Sequence, residues 1–314
     1  MADAFPSRLG QVNAAGDTKA LFLKVFSGEV LAAFQRSTAF RDRHTVRVIA
    51  NGKSAQFPVT GTAQASYHTP GAEITGQSIK ANERVIVIDD MIIAPVFIAN
   101  IDEAMNHYDV RSIYSNEIGQ ALAQLYDTNV ARAGIQAARG AAVVDGLPGG
   151  GQSINAAYST DGSVLWQGIF NAGVGLDTKW VPMDDRTGFL RPVQYALVVQ
   201  SEKPIDIRLN ANQNNGSIML GDVKRINNIE LVKTNNLPNA DDTANQGIAS
   251  QLRGDYSPTQ GLIAHRSAMG TVQLQDISME SGYDLRRQGT LMVGKYLVGH
   301  DQLRPEAAFE LRTS

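Results

Sequence analysis

A chain of 314 residues with 43% hydrophobic content can bury roughly 75% of the surface its unfolded form exposes, in one or two domains. Charged residues make up 19% and the formal net charge is -3, so no chain-wide cationic field exists to hold nucleic acid or an anionic membrane. Cysteine is absent, which excludes disulfide scaffolds, thiolate metal sites and cysteine nucleophiles together.

The charge is uneven. Through Lys53 eight cations stand against four anions, so this stretch is +4 and the remainder -7. Asp17 is placed to cap a helix over about 18–35, where Leu21, Val25, Leu31 and Phe34 recur near helical spacing. Short strands are expected at 45–49 and 55–59, with Asn51-Gly52 as a turn and Pro58 restricting the second strand to an edge. Residues 61–82 are polar, with three glycines and one proline, and lead into a strand over 83–89. They read as an excursion with two legs of about eleven residues, each reaching about 35 Å if extended. A hairpin of that kind is marginal alone and needs a surface to lie on.

From about 102 to 139 no proline interrupts a helical pattern in which Ile101, Ala104, Met105, Tyr108, Ile118, Ala121, Leu122 and Leu125 mark one face. Unbroken, this spine runs roughly 55 Å, with Gly119 and Gly134 as candidate bends. The run Gly149-Gly150-Gly151 follows a helix and lacks the GK[ST] ending of a phosphate loop, so it reads as a linker. A further helix is expected over 163–180, against the propensity of its internal glycines, and strands at 195–200, 229–233, 261–264 and 271–274.

Chemistry is hard to find. The adjacent acids Asp89-Asp90, Asp184-Asp185 and Asp241-Asp242 read as solvated turns or caps. His44, His68, His107, His265 and His300 form no HxH, HExxH or HxxxH pair, and neither GxSxG, GxGxxG nor GxxxxGK[ST] occurs. No enzyme activity, metal or cofactor is expected. The chain has no apolar window of membrane-spanning length, and MADAFPSRLG lacks the apolar run of a signal peptide, so a soluble intracellular product is expected.

Five blocks point further: AAGDTKALFLKVFSGEVLAAF (14–34), GKSAQFPV (52–59), DEAMNHYDVRS (102–112), HRSAMGTVQL (265–274) and GHDQLRPEAA (299–308). In this order they closely resemble the major capsid protein of T7-like short-tailed bacteriophages, the podoviruses. The similarity covers about 14–130 and 262–308, and 140–260 departs from it. The resemblance implies an α+β, HK97-like capsid fold with an N-terminal arm (1–50), an E-loop region (51–83), a peripheral domain on the long spine helix (84–186 and 278–305) and an axial domain (187–277 and 306–314).

It further implies a protein that self-assembles through pentamers and hexamers, by way of a procapsid, into the icosahedral head shell enclosing phage double-stranded DNA. Assembly would take place in the host bacterial cytoplasm. Implied partners are other copies of itself, a scaffolding protein, a portal protein, a decoration protein and the packaged DNA, held non-specifically. Intersubunit E-loop contacts then fall to Gly61, Tyr67, Gly71, Ile74, Gly76 and Ile79, with the glycines letting the loop bend differently in pentamers and hexamers. Arg36, Arg41, Arg43 and Arg47 face scaffold or DNA, or else form salt bridges with neighbouring subunits. Met105, Tyr108, Ile118, Leu122 and Leu125 form the spine helix core. Lys53 and Lys80 flank the loop, yet resemblance to T7-like proteins argues against covalent cross-linking. The competing reading is a soluble, ring-forming carbohydrate- or nucleic-acid-binding oligomer.

Overall fold

The computed structural model describes residues 38–71, 73–74, 76–88, 90–101, 110–201, 216–217, 222–223 and 225–314. The helix expected over 18–35, Arg36, Met105 and Tyr108 lie outside them. In chain order the strands are β1 (Thr45–Val48), β2 (Ser54–Thr60), β3 (Ala81–Val87), β4 (Ile92–Ala99), β5 (Gly151–Ile154), β6 (Arg186–Leu190), β7 (Gly216–Ser217) and β8 (Asp222–Val223). They continue with β9 (Arg225–Ile226), β10 (Ile229–Lys233), β11 (Thr259–His265), β12 (Met269–Asp284), β13 (Gly289–Gln302) and β14 (Ala308–Arg312). The helices are α1 (Val110–Arg139), α2 (Gly162–Thr178) and α3 (Pro192–Gln200). The chain divides into two compact units, and the described residues of the smaller are 90–101, 110–125 and 275–298.

The larger unit is built on a six-stranded sheet of order β5-β14-β11-β6-β10-β9. β14, β11 and β6 run antiparallel, while β5 joins β14 and β10 joins β6 in parallel. A parallel pair needs a crossover, and α3 lies within the one from β6 to β10. All five residues of β6 are buried, the pattern of a strand covered on both faces. α2 packs on α3, β5 and β14, and Leu165, Ile169, Leu176, Phe189, Leu262 and Ile263 are fully buried between the layers. β1 runs parallel to the first residues of β12, and β2 and β3 form a separate antiparallel pair whose edge position tolerates Pro58.

Beyond Tyr126, α1 is buried almost all round, which its short side chains permit. Ala131, Ala133, Ile135 and Ala137 are inaccessible. Gly134 does not break the helix, which is continuous over 30 residues. A Cβ there would stand 2.6 Å from the Met269 sulfur and 2.7 Å from Leu262, so the glycine lets helix and strands approach. Polar residues on this half of α1 each have a partner: Asp127 accepts from the Phe40 amide at 3.3 Å and from Asn236 Nδ2 at 3.1 Å, and Arg132 pairs with Asp242 at 2.7 Å. Asp242 is thus a buried ion-pair partner, a correction to its reading as a solvated turn residue. Asp241 does cap a turn, accepting from the Thr243 amide and hydroxyl.

In the smaller unit the far half of β12 and the near half of β13 form a hairpin, and β4 lies antiparallel to β13 from Gly289↔Ala99 to Tyr296↔Ile92. Ile98, Ile118, Leu122 and Tyr296 form its interior. A Cβ at Gly294 would collide with Ile118 and Leu122, so the helix rests directly on the strand. The Tyr296 hydroxyl donates to the Leu122 carbonyl at 3.4 Å.

Two expectations are corrected. Residues 195–200 are helical, part of α3, because a short apolar β-branched run does not by itself distinguish buried strand from buried helix. Pro192 in the first helical turn decides the matter. The glycine run is a packed corner rather than a linker: the Gly150 amide donates to the Gly140 carbonyl at 2.9 Å, and Gly151 opens β5. A Cβ on Gly150 would lie 2.2 Å from the Ala138 carbonyl oxygen. Gly150→Ala is therefore expected to destabilise the unassembled chain by roughly 2–3 kcal/mol, read as a lower urea midpoint at unchanged m-value. An unchanged midpoint would show that the corner is free to relax.

Candidate assembly surfaces

The excursion keeps the register of the strands below it. β2 and β3 pair from Ser54↔Val87 to Thr60↔Ala81. One step further the Gly61 amide donates to the Lys80 carbonyl at 2.8 Å. Three steps beyond, the Gln77 side chain receives the Gln64 amide at 3.1 Å and returns a bond to the Gln64 carbonyl at 2.6 Å, replacing a missing backbone ladder. The same register brings the chain to Pro70-Gly71, where Gly71 has φ +87°, a left-handed position suited to glycine in such a turn.

Every described residue from 62 to 80 is exposed, including Tyr67, Ile74 and Ile79. Gly76 has open space around it, whereas a Cβ on Gly61 would press on the Lys80 carbonyl at 3.1 Å. The root is fixed: Val59 packs with Val143 and Val144, Asn82 Nδ2 donates to the Val143 carbonyl at 2.8 Å, and Lys80 meets Asp145 at 2.9 Å.

A second surface lies at the end of α2. Asp161 starts this helix by accepting from the Ser163 amide at 2.7 Å, and its end is a Schellman turn. There the Val181 amide donates to the Leu176 carbonyl and the Trp180 amide to the Asp177 carbonyl, with Val181 and Leu176 both buried. The position that normally takes glycine holds Trp180, at φ +59°, a conformation costing a bulky residue about 1–2 kcal/mol. The residue is 93% exposed. An open cleft of about 740 Å³ beside it is lined by Thr60, Thr62, Leu147, Lys179, Trp180 and Arg304, among others. Burial lowers the Lys179 pKa, opposed by nearby Glu306, and Lys179 Nζ donates to the Gly149 carbonyl at 2.9 Å.

The described cations of the arm divide. Arg43 pairs with Glu230 at 2.8 Å within its own chain, and Arg47 donates to the Gln56 carbonyl at 2.9 Å and lies over the Phe57 ring. Arg41 is exposed. Asp184 and Asp185 line an open cavity of about 600 Å³ together with Asp42, Arg43 and Glu230. On the spine, Ile118 and Leu122 are buried, whereas Leu125, at i+7 and i+3 from them on the same face, is 37% exposed.

Two histidines distant in sequence meet at Tyr126. His44 Nε2 lies 3.1 Å from the Tyr126 hydroxyl and Nδ1 2.7 Å from the Phe40 carbonyl. His300 packs T-shaped on the Tyr126 ring at 4.8 Å and shares a 2.9 Å hydrogen bond with Thr271 Oγ1. Among the described residues no group of three His, Asp or Glu side chains has metal-ligand geometry, and no helix is long and apolar enough to cross a membrane.

A mixed sheet flanked by helices, a long helix buried along half its length and a rooted hairpin occur together in solved phage capsid proteins, and the likeness to them gives the class: a phage shell protein of the HK97-type capsid fold. Solved capsids agree. The chain superposes on the capsid protein of Cyanophage P-SCSP1u with a TM-score of 0.83 and 42% identity, covering 100% of this chain and 99% of that one. It matches the mature capsid of bacteriophage PhiM1 with a TM-score of 0.77 at 20% identity, over 98% of this chain and 96% of that one, a likeness of fold.

The Gp10A-like family, described as "Major capsid protein", matches residues 56–312. The chain is 35% identical to the major capsid protein of Escherichia phage T7, over 95% of this chain and 93% of that protein. It is 34% identical to that of Enterobacteria phage T3, over 95% and 93%. The chain belongs to the Gp10A-like major capsid protein family. It assembles with copies of itself into the icosahedral head shell of a phage virion, and this decides against the soluble binding oligomer.

Proposed function

We propose that the shell is built from rings of five and six copies in which the excursion at 61–80 of each subunit lies over its neighbour. The observation that carries this reading is the hairpin itself: a rooted, register-fixed arm whose described residues from 62 to 80 are all exposed. Exposed Ile74 and Ile79 gain a covered surface, and a two-stranded hairpin gains something to lie on, only against another molecule. Head-to-tail contacts of this kind close into rings. The proposed division is an arm over 1–50, the E-loop region over 51–83, a peripheral domain that includes the smaller compact unit, and an axial domain that includes the six-stranded sheet. Ile118 and Leu122 serve the spine core.

The role is structural rather than enzymatic. Scaffolding protein, portal protein, a decoration protein and packaged double-stranded DNA are its further partners. Arg41, an exposed cation within the basic arm, is the described one best placed for scaffold or phosphate, whereas Arg43 is held by Glu230. Deleting 65–78 is expected to leave soluble protein that forms no shells when coexpressed with scaffold, judged by electron microscopy. Normal shells from that variant would overturn the reading.

A further inference from the structure

We propose that the cleft beside Trp180 is the receptor for the tip of the excursion, residues 67–74, from a second copy of this chain. The inference rests on the reading of 61–80 as an intersubunit arm, and adds where on the neighbour that arm ends.

The first observation is the tip. In the register set by Gly61/Lys80 and Gln64/Gln77, Tyr67 falls opposite Ile74, three residues from the turn on either side. Both are exposed, so the end of an otherwise polar arm carries an apolar pair. Between 62 and 79 the only formally charged side chain, with His68 neutral, is Glu73.

The second observation is the cleft. Trp180 stands 93% exposed in a backbone conformation that favours glycine, the kind of strained position kept for a contact rather than for the fold. An exposed tryptophan beside a cleft is also the residue type that anchors interfaces. Leu147 supplies an apolar floor, and the cations Lys179 and Arg304 outnumber the acid Glu306. Arg304 is exposed and opposite in sign to Glu73.

The third observation selects the occupant. Thr60 and Thr62, the root of the same arm, line the cleft. The Pro70-Gly71 turn at the end of the tip is nine residues from Gly61 on one leg and from Lys80 on the other, roughly 30 Å if extended, and the glutamine bracket holds the legs together. Tip and receptor therefore sit at opposite ends of one hairpin, and the tip of one chain meets the root of the next. Repeated from copy to copy, this heterologous contact closes a ring.

Because the chain has no cysteine, trapping is direct. A Tyr67→Cys chain coassembled with a Leu147→Cys chain is expected to give a covalent dimer on oxidation, with none from either chain alone. Glu73→Arg or Arg304→Glu is expected to lower shell yield at least tenfold, and the two together to recover most of it. Trp180→Gly is expected to raise the melting temperature of the unassembled chain, by relieving the left-handed strain, while lowering shell yield. A purely structural tryptophan would not produce that pair of opposite changes. Normal shells from Trp180→Gly, no trapped dimer and no rescue by the charge exchange would overturn the receptor. If deletion of 65–78 still blocks assembly in that case, the intersubunit arm stands and only its docking place is wrong. If the deletion has no effect, the arm reading fails first.

Discussion

Replacing Glu310 by alanine is expected to destabilise the unassembled chain by about 3–5 kcal/mol, the usual consequence of removing one partner from a buried ion pair. Glu310 is fully buried in β14. It accepts from Arg139 Nε at 2.7 Å and Nη2 at 2.6 Å, a two-pronged guanidinium–carboxylate pair, and from Thr259 Oγ1 at 2.6 Å. Arg139 lies in the last turn of α1, where a cation also meets the negative end of the helix dipole. It further donates to the Asp255 carbonyl at 2.6 Å and lies over the Tyr256 ring. Without the carboxylate, a half-buried guanidinium and a buried hydroxyl lose their acceptor together. Glu310→Gln keeps the shape and one acceptor oxygen, and is expected to cost roughly 1.5–3 kcal/mol. Chemical denaturation of the two variants at pH 7 tests the ranking, and values within 1 kcal/mol of the parent for both would refute it. The ion pair of Lys80 with Asp145, open to water on both sides, contributes little to stability by comparison.

What was legible beforehand is what sits in a local pattern. The alternation around 83–89, the proline in 55–59 and the uninterrupted helical run through Arg139 foretold β3, β2 and α1, and the polar excursion between two strands foretold the hairpin. The helix expected over 163–180 was legible in spite of its glycines, because glycines here are packing surfaces: Gly162 abuts the Leu197 backbone and Gly168 the Tyr158 ring, whereas Asp161 as its cap was not read beforehand. What was not legible joins residues far apart in sequence. Arg132 and Asp242 are separated by 110 positions, so nothing beside either aspartate of 241–242 says which one is buried. Gly150 owes its identity to the end of α1, and the cleft draws on Thr60, Leu147, Trp180 and Arg304. Trp180 is hidden for a different reason: a Schellman turn is recognised in sequence by the glycine that this chain lacks there. The family resemblance supplied the fold class and the shell function, which composition and spacing alone left open.

Acid is expected to weaken the unassembled chain from about pH 6.5 downward, and His300 sets most of that slope. Its ring is wholly enclosed, and burial holds its pKa down to about 3, with the nearby His44 pushing the same way. Nδ1 has Thr271 as partner, while Nε2 has no polar one, so the fold offers a second proton nowhere to go. In the unfolded chain the same imidazole titrates near 6.5. Below that pH the unfolded state binds a proton that the fold refuses, and stability falls as pH falls, with the contribution fully present above 6.5 and exhausted near 3. From His300 alone the loss at pH 5 is about 2 kcal/mol.

His44 adds to it: burial lowers its pKa, against the Phe40 carbonyl and Asp127, with Arg266 also lowering it. Asp127 acts in the opposite sense, since burial raises its pKa above the ordinary 3.8 against the amides of Ala39 and Phe40 and the side chain of Asn236. Its stabilisation grows only toward the acid end of the range. Melting temperatures of the unassembled chain at pH 7.5 and 5.0, at fixed ionic strength, should therefore fall by several degrees. His300→Asn, which keeps a hydrogen-bonding group near Thr271 and carries no titrating ring, should lose most of that slope whatever it does to stability at pH 7.5. A slope identical in parent and variant would place the acid sensitivity elsewhere.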